Sequence, residues 1–267
     1  GAMQPGGEVT FNVPIRTVTL RADEARDPAQ WRMECGIGSG ITYDSRAASE
    51  AQEWRDKQAF LRRAARPFEL LESLRLEDGR YWLLDGHLAR LTQAAKHFGH
   101  PFDVARVRDA LDATARGLPY GVHKVRLRVT DRGEVLVDAS PLAPTQEPVR
   151  LAFASRPMPP ADEFILHKTT RREAYAAFTP TGGAFDTLLW NAAGELTETT
   201  IGNVALRIDG RWLTPPVSAG LLPGVCRAAL LAEGRVAEAR LLVDDLAKAE
   251  GVAFFNSVRG WLAATVS

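Results

Sequence analysis

Residues 9–20 alternate apolar and polar side chains with β-branched residues in excess. A period of two predicts a strand, and Pro14 within it points to a sheet edge or a bulge. A polar loop follows, then a second short strand at residues 31–34. Glycines 36, 38 and 40 fall on alternate positions, which lets backbone amides approach a ligand or another strand closely. Ser49 is placed to cap a helix over residues 50–63, with Glu50, Glu53 and Lys57 on adjacent turns. Pro67 ends that helix and sets a boundary near residues 64–67.

The pattern beyond the boundary is denser. Residues 68–76 read as a strand, the Asp78-Gly79 pair as a hairpin turn, and residues 81–84 as the returning strand. Asp85 is expected to cap a helix to Phe98, with Leu88, Leu91, Ala95 and Phe98 on one buried face and Arg90 off that stripe. Asp103 caps a second helix over 104–116. A hairpin, 125–129 with 135–137, turns around Asp131-Arg132-Gly133, and 149–153 forms another strand. The proline-rich loop at 156–160 is a reasonable hinge between two lobes. After it come a helix at 172–178 and strands at 185–190, 204–208 and 211–214. A helix through Ala232 opens with Pro223 near its first turn. A strand at 240–243 is followed by a helix capped by Asp244 or Asp245, and residues 252–260 read as a buried strand ending in polar groups. The order of elements is α+β, without an internal repeat.

Composition removes several classes of function. The chain has 267 residues, 45% hydrophobic and 25% charged, with a formal net charge of +0 and a pI near 7.2. Nothing in that balance favours nucleic acid or an anionic membrane, so any bound anion must be held by local arginines and backbone amides. The two cysteines, Cys35 and Cys226, form no CxxC motif and suit a reducing cytoplasm. No apolar run reaches membrane-span length. No signal peptide is expected, and residues 1–3 read as a protease scar set apart from the fold.

The candidate chemistry gathers at Phe164–Arg172, where Lys168 follows a short apolar run, and at Gly194–Asn203, which carries Glu198. Pro223-Gly224-Val225-Cys226 opens a helix whose free amides can face an anion. Arg90 can add a charge-assisted contact and Ser257 a hydroxyl. Such a set suits pyridoxal phosphate (PLP), which needs a lysine for a Schiff base, an acid for its ring nitrogen and a cup for its phosphate. Taken singly, each residue has an ordinary alternative: a surface lysine, a turn glutamate, an arginine in an exposed ion pair, a common helix start, a strand end. Their joint order is what favours the site.

That order resembles the class IV PLP enzymes, among them branched-chain aminotransferase, D-amino acid aminotransferase and 4-amino-4-deoxychorismate lyase. The matching residues are His87-x-x-Arg90-Leu91, Lys168, Leu196-Thr197-Glu198 with Asn203, Thr214-Pro215-Pro216, Leu222-Pro223-Gly224-Val225 and Asn256-Ser257-Val258-Arg259. The resemblance implies a two-lobe fold with PLP between the lobes, Lys168 as the catalytic lysine, and a homodimer. It implies cofactor contacts from Arg90, Lys168, Glu198, Asn203, Gly224, Val225, Cys226 and Ser257. Cys226 stands where relatives often carry a hydroxyl or methionine, and Arg171 where the lyases often have asparagine. The usual glycine-rich lead-in is absent, and Glu72-Ser73 is the best match to the Glu-Thr of its strand.

The first segment resembles the end of the chorismate-binding enzymes, which include anthranilate synthase and aminodeoxychorismate synthase component I. It does so through Ile15-Arg16-Thr17, the glycines from Gly36 to Ile41, Asp44-Ser45 and Glu50-x-x-Glu53-x-x-x-Lys57. In a complete domain of that kind, Arg16 and the glycine amides would hold a carboxylate and Glu50 and Glu53 a magnesium ion. Here the better expectation is a remnant with no resident metal, its exposed strand edges open to pairing with those of a second chain. The implied organisation is a scar at 1–3, a chorismate-domain remnant at 4–65, a small lobe at 66–157 and a large lobe at 158–267.

A chorismate-enzyme tail joined to a class IV domain looks like a bifunctional folate-pathway protein. The implied reaction is cleavage of aminodeoxychorismate to 4-aminobenzoate and pyruvate, with Arg16, Arg126, Arg128 and Arg259 as candidates for the substrate's two carboxylates. A glutamine amidotransferase could join the longer protein. Three alternatives stand beside it: a class IV aminotransferase for branched-chain or D-amino acids, a scaffold without cofactor, and a residual chorismate site in the tail.

Overall fold

The computed structural model describes residues 2–3, 9–10, 18–21, 32–39, 42–65 and 67–267. The chain divides into two compact units, residues 1–67 and 68–267. In the first, β1 (Ala2–Met3) pairs antiparallel with β2 (Val9–Thr10), so residues set apart as a scar take part in a strand. Strand β3 (Val18–Arg21) pairs with β4 (Arg32–Cys35), with Val18 opposite Cys35. Helix α1 (Ala47–Ala65) starts earlier than expected: the Glu50 amide already donates to the Arg46 carbonyl at 3.0 Å, so Ser49 lies in the first turn and is not the cap. Pro14, Arg16 and Gly40 lie outside the described residues.

The second unit holds two sheets. Strands β5 (Leu70–Glu77), β6 (Arg80–Tyr81), β7 (Val122–Val129) and β8 (Val135–Pro141) form an antiparallel sheet in the order β6-β5-β7-β8. Asp78 and Gly79 turn the first hairpin with φ of 48° and 74°, the left-handed pair a tight hairpin requires. Helices α2 (Leu84–Phe98) and α3 (Val104–Gly117) accompany this sheet. Leu88 and Leu91 of α2 and Val107 and Leu111 of α3 join Leu70, Leu74, Val125 and Leu127 in one core. Each large apolar side chain so buried contributes about 1.5–3 kcal/mol. Asp103 caps α3 as expected, accepting from the Ala105 amide at 2.9 Å. Asp85 does not cap α2; Leu83 turns the chain with φ of 57°, and Asp85 lies in the first turn, paired with Arg108 at 3.2 Å. The expected strand at 81–84 is accordingly cut to Arg80–Tyr81.

The larger sheet has eight strands: β9 (Val149–Phe153), β10 (Asp186–Trp190), β11 (Leu196–Thr199), β12 (Asn203–Ile208), β13 (Arg211–Thr214), β14 (Ala237–Glu238), β15 (Gly251–Asn256) and β16 (Gly260–Val266). Their order is β11-β10-β9-β16-β15-β12-β13-β14, with β9 parallel to both β10 and β16. Because β9 sits inside this sheet, the chain crosses between sheets at residues 142–148 and not at the proline-rich loop. That loop packs onto β10 instead: Met158 is buried and its amide donates to the Trp190 carbonyl at 2.8 Å.

Three further expectations change. The helix at 172–178 is a single turn, α5 (Glu173–Ala176), preceded by another, α4 (Glu163–Leu166). The strand at 240–243 is replaced by β14, while Leu242 makes only an isolated bridge to Glu195. The helix after it is a 3-10 segment, Val243–Lys248, closed by Asp245 accepting from the Leu242 amide at 2.8 Å. The helix opened by Pro223 is α6 (Val225–Ala232).

Candidate active site

Lys168 owes its position to β5, a strand almost a hundred residues away. The Leu71 amide donates to the Lys168 carbonyl at 3.0 Å, and the Thr170 amide donates to the Glu69 carbonyl at 2.9 Å. The Glu69 amide in turn donates to the Thr170 hydroxyl at 2.9 Å. With its backbone pinned on both sides, the lysine lines a cleft of about 320 Å³. The cleft's remaining walls come from β5, α2, β7, α5 with the residue before it, β11, the turn after β11, the start of α6 and the turn after β15.

Glu198 lines the same cleft and is 4% exposed. Its Oε1 accepts from the Tyr175 hydroxyl at 2.7 Å and its Oε2 from the Leu222 amide at 3.2 Å. Burial pushes its carboxyl up to about 8, against the pull of those two donors. Burial, with Arg90 beside it, brings the Lys168 ammonium down to about 8. Burial and the neighbouring Glu198 push the Tyr175 phenol well above the usual tyrosine range. The lysine is therefore poised to exchange a proton near neutral pH, and the glutamate has a strong reason to take a cationic partner.

Arg90 is held from behind. Its Nε and Nη2 donate to Glu72 at 2.8 and 2.6 Å, and its Nη1 donates to the Pro223 carbonyl at 3.1 Å. The His87 ring meets the same carboxylate at 2.7 Å. Burial pushes Glu72 upward, but Arg90 and His87 outweigh it and hold the carboxyl at about 2. The guanidinium is thus fixed at the cleft wall beside the residue that leads into α6. Gly224 precedes that helix, and a Cβ there would overlap Asn203 Oδ1, so the backbone approaches as only glycine allows. The Asn203 side-chain amide donates to the Leu222 carbonyl at 3.1 Å, which secures the approach to the helix. The Cys226 amide donates to the Ser257 hydroxyl at 3.2 Å. Burial pushes the Cys226 thiol up to about 12, so it stays neutral beside the helix start.

Two further devices shape the cleft. Asn256 Oδ1 accepts from the Val258 and Arg259 amides at 2.9 and 2.8 Å, folding a tight turn that presents Ser257 and Arg259. Asp186, buried on β10, accepts from the Thr200 and Ile201 amides at 3.2 and 3.0 Å and so holds the turn after Glu198.

Every expected cofactor contact lines this cleft: Arg90, Lys168, Glu198, Asn203, Gly224, Val225, Cys226 and Ser257. Of the expected carboxylate-binding arginines, Arg126 and Arg259 line it, and Arg16 lies outside the described residues. Arg128 does not line it; it is spent on Glu69 at 3.1 Å and Asp138 at 3.0 Å. Arg171 is also elsewhere, over the Phe164 ring at 4.5 Å. In the first unit Glu53 pairs with Lys57 at 2.6 Å, and Glu50 accepts from Ser39.

Sequence reasoning missed Lys124, Arg172 and Tyr175, all on the cleft wall, and Asp186 behind it. Lys124 had a readable signal, since it stands two residues before Arg126 on the same strand and so on the same face. Asp186 had a weaker one, an acid at the head of an apolar strand. Tyr175 had none, because its partner is a glutamate on a distant strand.

Residues 69–266 match the family of amino-transferase class IV, and residues 1–63 match that of the chorismate binding enzymes. A candidate aminodeoxychorismate lyase of Schizosaccharomyces pombe is 31% identical over 199 residues, 69% of this chain and 84% of that protein. The crystal structure of a candidate amino-acid aminotransferase from Mesorhizobium loti superposes with a TM-score of 0.70 at 35% identity, covering 75% of this chain and 100% of that one. The PLP-bound form of a hypothetical aminotransferase from Mycobacterium tuberculosis superposes with a TM-score of 0.65 at 23% identity, covering 74% of this chain and 81% of that one.

Proposed function

Because the chain belongs to the amino-transferase class IV family and carries a chorismate-binding fragment ahead of that domain, we propose that it is a PLP-dependent 4-amino-4-deoxychorismate lyase, the lyase half of a bifunctional synthase and lyase. The join of those two pieces in one chain is the observation that carries the choice of reaction. The similarity to the S. pombe protein supports it.

The donor set fits PLP. Glu198 has each oxygen fixed by one donor, Tyr175 or the Leu222 amide, and a need for a positive partner, which a protonated ring nitrogen would meet. Arg90, the Val225 amide and the Ser257 hydroxyl are placed for the phosphate, the Cys226 amide holds that hydroxyl in position, and Gly224 leaves room for it. Held by these residues, PLP would supply an electron sink for the substrate's amine-bearing carbon once the substrate amine has taken the place of Lys168, whose Nζ is thereby released. Lys168 Nζ then removes the proton at that carbon. The bond from the neighbouring ring carbon to the enolpyruvyl oxygen breaks, and a proton returned by Lys168 to the methylene carbon completes pyruvate. The ring becomes aromatic, and no oxidant or further reactant enters. Lys124, Arg126, Arg172 and Arg259 give the cleft four cations, enough to take two carboxylates.

Incubating the chain with PLP and aminodeoxychorismate should release 4-aminobenzoate and pyruvate in equal amounts. A second reading, aminotransfer, is favoured by the likeness to the M. loti protein. Transfer of nitrogen to 2-oxoglutarate without any 4-aminobenzoate would replace the lyase with it.

The glycine at the helix start provides a separate check on the phosphate cup. Gly224→Ala should weaken PLP binding by about tenfold or more, since the added carbon must displace Asn203 or the backbone at a cost of about 1–3 kcal/mol. Equilibrium titration of PLP reads this directly, and unchanged affinity would place the phosphate elsewhere.

A further inference from the structure

A second cavity, of about 520 Å³, lies between the β5–β6 hairpin, α6 and the β15–β16 hairpin. Its volume is in the range of small-molecule sites. Three aromatic side chains, Tyr81, Trp82 and Trp261, line it together with charged ones. Trp261 is held rigid, stacked on Phe255 with ring centroids 5.4 Å apart and edge-on to Trp212 at 4.9 Å. Trp82 is 38% exposed, a large apolar face left open to solvent.

The charges around it do not cancel. Arg75 pairs with Glu77 at 3.0 Å, and Arg235 with Glu233 at 3.7 Å. The remaining guanidinium, Arg80, is exposed and has no acidic partner among the described residues. Three arginines against two glutamates leave one positive charge beside flat aromatic walls. Trp261 carries Phe255 stacked on it and the Arg235 guanidinium over its ring at 5.7 Å, so the open aromatic face is that of Trp82, and a planar ring can lie there while its single carboxylate meets Arg80. We propose that this cavity is a binding site for a planar aromatic monocarboxylate, distinct from the catalytic cleft.

The two cavities share one side chain, Cys226, in the first turn of α6. An occupant of the second cavity therefore touches the helix whose first residues line the cleft. 4-Aminobenzoate belongs to the ligand class this site selects. That connection, product acting back on its own enzyme, rests on the lyase reading; the site itself does not.

The test is equilibrium binding of benzoate and of 4-aminobenzoate to the full chain, with and without PLP, followed by quenching of tryptophan fluorescence. Saturable benzoate binding is expected, weakened about tenfold or more by Arg80→Ala and by Trp82→Ala and unaffected by Arg126→Ala. Benzamide, which lacks the charge, should bind more weakly by a similar factor. Both altered residues are exposed, and unchanged PLP loading reports that the variants are folded. No saturable binding, indifference to Arg80→Ala, or loss on Arg126→Ala alone would overturn the proposal. A chain that binds benzoate through Arg80 yet forms no 4-aminobenzoate would uphold this site and remove the lyase reading.

Discussion

Lys168→Ala is expected to lower kcat/KM for 4-aminobenzoate formation by on the order of 10⁴-fold, the upper scale for losing a positioned proton-transfer group. The same residue is proposed to hold the cofactor covalently, so the visible absorbance that borohydride abolishes should vanish too. Lys168→Arg should not restore activity, because a guanidinium does not give up its proton in this pH range. Added small amines should restore part of the turnover in the alanine variant but not in the arginine one. Retention of wild-type turnover by either variant would remove Lys168 from the chemistry.

Stability should move the opposite way. In the unloaded chain the ammonium is brought from its ordinary value of 10.5 to about 8 by burial, so the folded state holds the proton less tightly than the unfolded state. Below about 8 the fold carries a charged group it disfavours. As pH rises from 8 toward 10.5 that penalty is relieved, and stability gains. The alanine variant should be the more stable protein at neutral pH and should lose this rise. Thermal unfolding of both proteins across that range is the measurement, and identical pH profiles would show that the lysine is solvated.

Glu198→Gln is expected to reduce kcat by on the order of 10²–10³-fold while PLP still loads, the scale of losing one preorganised electrostatic partner. The amide keeps the shape but carries no charge to hold a proton on the ring nitrogen. It also cannot accept on both sides, where Tyr175 donates at 2.7 Å and the Leu222 amide at 3.2 Å. A fall in kcat larger than any rise in KM separates this effect from a mere loosening of the site. A variant with full kcat would mean that the ring nitrogen has another partner.

The pH signature of Glu198 differs from that of Lys168. Burial raises its carboxyl from 4.5 to about 8, so the folded chain binds this proton more tightly than the unfolded one. Stability of the unloaded protein should therefore fall as pH rises between those values, and the glutamine variant should lack that fall. PLP brings a positive ring partner and should flatten the wild-type profile in the same window.

Much of the fold could be read from the chain because its signals are local. The Asp78-Gly79 turn, the Asp103 cap and strand β9 each rest on a few adjacent residues, and all three stand where they were expected. Boundaries failed where a distant contact outweighed a local preference. Asp85 yielded the start of α2 to Leu83, and the expected strand at 240–243 yielded its pairing to β14. Strand β16 escaped because the Asn256 turn before it is made by a side chain bonding to amides two and three residues on.

The sequence by itself determined which side chains were available for chemistry: Lys168, Glu198, Arg90 and the Gly224 helix start, in an order that held when the cleft was seen. Only the tertiary structure decided which of those charges were free to act. Arg126 and Arg128 are two residues apart on one strand face, yet Arg126 lines the cleft while Glu69 and Asp138 claim Arg128. It also decided where the chain crosses between sheets, and that Asp186 braces the turn after Glu198. Periodicity along a chain reports how each residue meets water. The partner that fixes a buried polar group comes from segments far away in sequence, and only folding brings it within reach of a hydrogen bond.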